Sequence, residues 1–241
     1  MPCMAFRCSV VVWLSLVGAA TNPDAPERLK ALPAGGPRPP LVVQHTAGFY
    51  KVALRPDGRR AVTTPSTSEG PGEAVLWEVR TGRKIRTFSG ATGQIISFAF
   101  SPDGRRLLAG TERAEAVLWD VDTGQVLHLL RHEHFGNWPV AYSPDNRHVV
   151  TTAGRNVVLW DADTGRPVRA LGPAEHDVRG VQFHPRRADL LLVRSQDLND
   201  QGEAHLWDVG TGRRLRSFGG RKGREYEVRF NHDGAEVLVV T

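Results

Sequence analysis

Short apolar stretches, each bounded by turn residues, recur along most of the chain. In the clearest unit they cover residues 95–100, 105–110, 115–120 and 125–130. Each stretch has the length of a β-strand, and the residues between the stretches are typical of turns. Residues 116–119 are apolar at four successive positions, which indicates a strand that is buried on both faces. The pattern therefore predicts four-stranded units, each a sheet that lies between neighbouring sheets.

The four-stranded unit recurs with a period of about 42 residues. Each copy contains a turn phrase after its first strand. Pro-Asp-Gly suits a turn because Pro presets φ, Asp bonds nearby backbone and Gly accepts a positive φ. The turn phrases RPDGRR, SPDGRR, SPDNRH, HPRRAD and NHDGAE begin at Arg55, Ser101, Ser143, His184 and Asn231. The first four are followed by LWEVRTGR, LWDVDTGQ, LWDADTGR and LWDVGTGR, which begin at Leu76, Leu118, Leu159 and Leu206.

These phrases and their period resemble those of the WD-repeat (Trp-Asp repeat) β-propeller family over residues 41–241. The resemblance implies an all-β fold, a propeller of four-stranded antiparallel blades. Four blades are complete, near residues 49–88, 95–130, 138–171 and 178–218, and a partial fifth holds strands at 225–230 and 235–240. Residues 41–43 align with the end of an outermost strand. The predicted ring is incomplete, and whether the chain is a fragment of a longer propeller stays open.

The resemblance also implies roles for individual residues. The four repeated tryptophans become structural residues of the blades; they are Trp77, Trp119, Trp160 and Trp207. The family's usual histidine partner of the tryptophan is unevenly present. His176 falls at the matching place, His45 and His134 lie near it, and the second unit has Ala91 there.

The first forty residues differ in composition from the repeats. Residues 1–20 resemble a secretory signal peptide, because Arg7 precedes an apolar run that ends in small residues at Ala20. The run of about twelve residues is shorter than the roughly 20 that a membrane-spanning helix needs, so no membrane span is expected. Residues 21–40 are Pro-rich and predict a flexible linker. We expect an exported protein, periplasmic or extracellular; if the chain start is mis-assigned, a cytoplasmic one.

Candidate chemistry is sparse in this sequence. No catalytic residue and no cofactor is predicted, because the motifs of nucleophilic, phosphate-binding and metalloprotease sites are absent. Cys3 and Cys8 lie outside the repeats, so cysteine cannot build a site within them. One histidine-rich cluster shows no full ligand set, and no metal is predicted there. It comprises His132, Glu133 and His134, with His176 and Asp177 on the next loop.

Lys and Arg exceed Asp and Glu by 31 to 26, a mild basic excess. Many arginines fall in the first and third turns of the units, which share one face of a propeller, but aspartates alternate with them. Interleaved charges of this kind usually form a solvated surface, and stacking aromatics are absent, so no nucleic acid is expected. The arginines are Arg59, Arg60, Arg105, Arg106, Arg186, Arg187, Arg213 and Arg214.

The opposite face carries the connections that vary most in length, and binding residues collect on such loops. The candidate partner-binding residues there are His134, Trp138, His176 and Asp197. The alternative is that Trp138 belongs to the core and that these loops only join strands.

The sequence favours a non-enzymatic WD-repeat scaffold that mediates protein–protein interactions with a protein or peptide partner of unknown identity. One alternative is an exported propeller enzyme of the hydrolase or lactonase type, since the architecture hosts both. Another is a larger multidomain protein whose activity lies elsewhere. If the chain is complete, residues 235–240 form an open apolar sheet edge, through which self-association is possible.

Overall fold

The computed structural model describes residues 49–65, 71–113, 115–132, 139–197, 201–222 and 227–240. Over these residues the chain is all β, with strands arranged in antiparallel sheets in sequence order. The predicted signal peptide, the linker and the strand at 41–43 lie outside the described residues and stay predictions. No helix in the described part of the chain is long and apolar enough to cross a membrane.

Four sheets have four strands each and form four blades. Blade one contains β1 (Phe49–Leu54), β2 (Arg60–Pro65), β3 (Gly72–Glu78) and β4 (Lys84–Ala91). Blade two contains β5 (Ile95–Phe100), β6 (Arg106–Thr111), β7 (Glu115–Asp120) and β8 (Val126–Arg131). Blade three contains β9 (Val140–Tyr142), β10 (His148–Ala153), β11 (Asn156–Asp161) and β12 (Pro167–Pro173). Blade four contains β13 (Asp177–His184), β14 (Arg187–Gln196), β15 (Gln201–Asp208) and β16 (Arg213–Lys222).

The fifth sheet has two strands, β17 (Glu227–Phe230) and β18 (Val237–Val240). The prediction of four complete blades and a partial fifth is therefore confirmed, and the ring is not closed. First strands of successive blades contact one another, so they form the inner wall of the arc. Self-association through the edge at β18 stays a prediction.

Turn chemistry accounts for the strand boundaries. In blade two the Asp103 carboxylate accepts from the Arg105 backbone N–H (2.9 Å) and from the Ser101 hydroxyl (2.6 Å). Gly104 follows with φ of 70°, and Asn146 occupies the same place in blade three with φ of 63°. Asn tolerates this left-handed conformation better than other side chains do. In the divergent fourth phrase the His184 ring nitrogen accepts from the Arg186 N–H instead.

Apolar side chains fill the spaces between blades. Trp119 is fully buried, and its ring lies 5.6 Å from that of Phe88 on the preceding blade. Its indole N–H donates to the Ser89 carbonyl at 2.8 Å, which joins blade two to blade one. Trp160 and Trp207 are buried as well, whereas Trp77 is half-buried. Burial on both sheet faces explains why the third strands lack a strict alternation of apolar and polar residues.

The residue at one position of the second strand differs between blades, and the tryptophan N–H donates to it where it is a threonine. The Trp160 N–H donates to Thr151 Oγ1 at 2.7 Å, and this Thr lies two residues beyond the strand partner of Trp160. The Thr151 hydroxyl also contacts the His132 ring, which packs edge-on against Trp160. At the equivalent place in blade four stands Val193, and within the described residues the Trp207 N–H meets no acceptor.

The tryptophan–threonine–histidine contact of blade three therefore uses His132. We expected His134 to lie near this place; it is outside the described residues. Blade one repeats the Trp–Thr bond, with the Trp77 N–H donating to Thr63 Oγ1 at 2.8 Å. Blade two has Ala109 at the Thr position, and its tryptophan turns to the backbone of the preceding blade instead.

Candidate functional site

We call the face with the first-to-second and third-to-fourth strand turns the turn face. Its arginines reach forward to the turns of the next blade. Arg106 donates to the Ala162 carbonyl (2.8 Å) and to Asp163 (2.6 Å). Arg60 pairs with Asp122 at 2.9 Å in the same manner. The interleaved charges that we interpreted as a solvated surface thus also connect blades.

Backbone carbonyls on the turn face accept further hydrogen bonds from side chains of the preceding blade. The donors lie on outermost strands and first turns: Arg86 to Thr123 (2.6 Å), Arg169 to Thr211 (3.0 Å), His128 to Asp163 (2.8 Å) and Arg55 to Gly104 (2.9 Å). Much of the polar surface on this face is therefore engaged within the protein.

We call the opposite face, which carries the second-to-third and blade-to-blade connections, the loop face. It holds two of the four predicted partner-binding residues, His176 and Asp197. They flank the paired residues Asp177 and Gln196, so the structure brings them to the same edge of blade four. His134 and Trp138 lie outside the described residues, and their predicted role stays a prediction.

Next to this edge, the inner strands line a cleft of about 460 Å³. It opens at the loop-face ends of β9, β13 and β17, with Ser97 of β5 and Arg194 of β14 completing its wall. We call it the mouth cleft. The aligned wall positions hold the small or compact residues Ser97, Pro139 and Gly180, which leave room for long side chains from neighbouring positions.

Arg194 enters the mouth cleft across Gly180. A Cβ at Gly180 would lie 3.2 Å from the Arg194 Nε, so a larger residue there would crowd the guanidinium. The Arg194 side chain is 18% exposed and donates to the Arg179 carbonyl at 3.1 Å. It also pairs with Glu227 of blade five at 3.3 Å. The absence of a side chain at Gly180 therefore positions a partly buried cation at the inner wall.

In the part of the chain that the structure describes, three guanidinium groups and one carboxylate line the mouth cleft. Glu227 pairs with Arg194 and, at 2.7 Å, with Arg229. Arg179 has no carboxylate within ion-pair distance among the described residues. The lining thus carries a surplus of positive charge. Opposite charges attract more strongly in a partly enclosed cleft than on an open surface, because less water screens them.

These arginines are not among the site residues predicted from the sequence. Two of them interrupt the apolar pattern of the inner strands, because Arg179 and Arg229 lie in stretches equivalent to Ile95–Phe100. Arg194 gives no such signal, because its position depends on Gly180, which lies opposite it in the sheet.

A second polar cluster lies at the interface of blades three and four. The His205 side chain, only 3% exposed, faces Glu203 (3.2 Å) and Ser217 (3.1 Å). Arg214 lies 3.5 Å from the ring and pairs with Glu175 at 2.9 Å. Burial, followed by the charge of Arg214, lowers the pKa of His205 below its usual value, and the two carboxylates oppose this shift.

The lowered pKa of His205 predicts a loss of stability in acid. The unfolded chain takes up a proton at this group near pH 6.5, before the folded protein does. The stabilisation is therefore full above about pH 6.5 and declines as the pH falls below it. We expect His205→Gln to reduce the difference in denaturation midpoint between about pH 8 and pH 5.5. His232→Gln, at an exposed turn, is the matched control and should leave that difference unchanged; equal effects would contradict the assignment.

Metal ligation gains no support from this geometry. His132 bonds Thr151, and Glu133 and His134 lie outside the described residues. Among the residues that the structure describes, no group of three or more His, Cys, Asp or Glu side chains is placed to hold a metal ion.

Comparison with known proteins agrees with the fold. The family model for the WD domain, G-beta repeat, matches residues 82–120, which include the Trp119 phrase. A solved structure described as Kuenenia stuttgartiensis hydrazine synthase is similar over 80% of this chain, with a TM-score of 0.69 and 17% sequence identity. This chain covers 55% of that chain, little more than half of its length. At this identity the likeness concerns the fold alone. This likeness and the stacked four-stranded sheets show a β-propeller fold, and the family match over residues 82–120, with the four tryptophan phrases, supports WD repeats within it.

Proposed function

We propose that this chain is a non-enzymatic scaffold that binds a protein or peptide partner across its loop face. The observation that carries the proposal is the difference between the two faces. Turn-face side chains such as Arg60 and Arg106 are engaged between blades. The loop face instead carries connections that differ in length in the sequence, beside an open, charged cleft. WD repeats generally mediate protein interactions, which supports the same reading.

The mouth cleft suits binding of charge better than proton transfer. Glu227 is the one carboxylate among the described lining residues, and two guanidinium groups hold it. A general base needs a carboxylate oxygen that is free to reach the substrate proton. Both oxygens of Glu227 already accept from guanidinium groups. These contacts support the scaffold over a propeller enzyme whose site lies in the cleft.

Photo-crosslinking from each face tests the scaffold proposal. A photoreactive amino acid is placed at His176 on the loop face or at Arg105 on the turn face, and cells of the native source are irradiated. We expect a discrete adduct from position 176 and none from position 105, because the proposed partner contacts the loop face and leaves the turn face in solvent. Adducts from both positions alike, or from neither, would contradict the proposal. The parent circular dichroism spectrum in both variants shows that the fold is intact.

The predicted signal peptide extends the proposal to a partner outside the cytoplasm. The intact mass of the native protein tests this point. A mass that lacks residues 1–20 supports export, and retention of Met1 excludes cleavage at that place.

A further inference from the structure

We propose that the mouth cleft binds an acidic segment of the partner, with a partner carboxylate seated against Arg179 and Arg229. This inference rests on the proposed scaffold function and adds the chemistry of what the scaffold recognises. Arg179 belongs to blade four and Arg229 to blade five, so the bound segment would lie across the boundary between these blades.

The balance of charge in the mouth cleft favours an anion. Its described lining residues include Arg179, Arg194 and Arg229 against the single carboxylate of Glu227. Arg229 is 70% exposed and keeps most of its donors available to a ligand, since its pairing with Glu227 is through Nε. A guanidinium presents several donors in a planar fork, which suits a carboxylate.

Glu227 shows that a carboxylate fits between these arginines. Its two oxygens accept from Arg229 (2.7 Å) and Arg194 (3.3 Å), one guanidinium on each side. The protein therefore places one carboxylate of its own in the cleft, and the surplus of positive charge can accept a second. The volume of about 460 Å³ is large enough for a few side chains of an extended peptide and too small for a folded domain.

The lining favours a peptide over a nucleic acid. Among the described lining residues there is no aromatic side chain on which a base could stack. A free phosphate or a phosphate monoester would bring about two negative charges next to Glu227, against one for a carboxylate. The Arg194–Glu227 pair also joins blades four and five. This structural role requires neither Arg179 nor Arg229, so it does not explain why these two arginines line the cleft.

Fluorescence anisotropy with a labelled hexaglutamate peptide tests the inference on the full chain. We expect saturable binding at low salt, and no binding of a labelled hexaglutamine peptide of equal length. The double variant R179Q/R229Q should weaken hexaglutamate binding by at least about tenfold, because it removes both contacts to the ligand. The matched control R59Q/R105Q removes the same charge from exposed turn-face positions and should change the affinity by less than about twofold.

A third variant separates ligand binding from a structural role. E227Q removes the internal carboxylate and raises the surplus of positive charge, so we expect it to tighten hexaglutamate binding several-fold. A merely structural glutamate would weaken binding or leave it unchanged when replaced. Circular dichroism of each variant confirms that it is folded before binding is compared.

The remaining outcomes each decide the matter. Equal weakening in the site and control variants would show non-specific attraction and overturn the inference, as would equal binding of hexaglutamine. Inorganic phosphate and acetate are compared as competitors of the labelled peptide. If phosphate displaces the peptide at a much lower concentration than acetate does, the inference that the cleft prefers a carboxylate is overturned. If no peptide binds while the adduct from position 176 persists, the inference fails and the scaffold proposal stands. If peptide binds without any adduct, the scaffold proposal fails instead.

Discussion

Trp119→Ala is expected to lower the free energy of unfolding by about 3–5 kcal/mol, as other large-to-small changes in cores do. Trp119 is fully buried between blades one and two, where it packs against Phe88 and donates to the Ser89 carbonyl. Its loss leaves a cavity at the interface and removes the hydrogen bond that joins the two blades. Chemical denaturation measures the change: the denaturant concentration at the midpoint of unfolding should fall while the slope of the free energy against denaturant stays the same.

Two companion variants make the Trp119 result interpretable. Trp77→Ala should destabilise less, because that side chain is half-buried and removes less packed volume. Trp119→Phe keeps part of the packing and loses the bond to Ser89, so its effect should lie between those of the parent and the alanine variant. A loss near zero for Trp119→Ala, or a larger loss for Trp77→Ala, would contradict the packing argument.

Thr151→Val should lower the free energy of unfolding by about 1–3 kcal/mol, although the two side chains have nearly the same shape. The Thr151 hydroxyl accepts from the Trp160 indole and contacts the His132 ring, and Thr151 is fully buried. Removal of the hydroxyl leaves the buried Trp160 indole N–H without its acceptor. Thermal or chemical denaturation measures the change.

The reciprocal substitution is the control for Thr151→Val. Val193→Thr places a hydroxyl where the Trp207 N–H lacks an acceptor among the described residues. We expect the free energy of unfolding to stay level or rise by up to about 1 kcal/mol. If Val193→Thr is instead as damaging as Thr151→Val, the second-strand hydroxyl is not what these tryptophans require.

Strand positions could be predicted closely because turn chemistry is local. The second unit was predicted at 105–110 and 125–130, and the strands lie at Arg106–Thr111 and Val126–Arg131. The Asp and Gly residues that end each strand act within a few positions of themselves, so a repeated phrase is enough to place them.

The mouth cleft could not be predicted in the same way. It needs Arg179, Arg194 and Glu227, which come from three strands of two blades, and Arg194 lies over Gly180, where a Cβ would crowd its guanidinium. The contact of His132 with Trp160 joins blade two to blade three, and it could not be predicted for a similar reason. Contacts between repeats depend on residues at which the copies differ, which a period cannot show.

The described bonds that join blades across the turn face run from one blade to its successor, as Arg60 to Asp122 and Arg106 to Asp163 illustrate. Blades two and three each supply donors to the blade after them and acceptors to the blade before them. A duplicated gene segment would bring both halves of a working interface with it. The number of repeats in such a chain can therefore change by whole units during evolution without any interface being built anew.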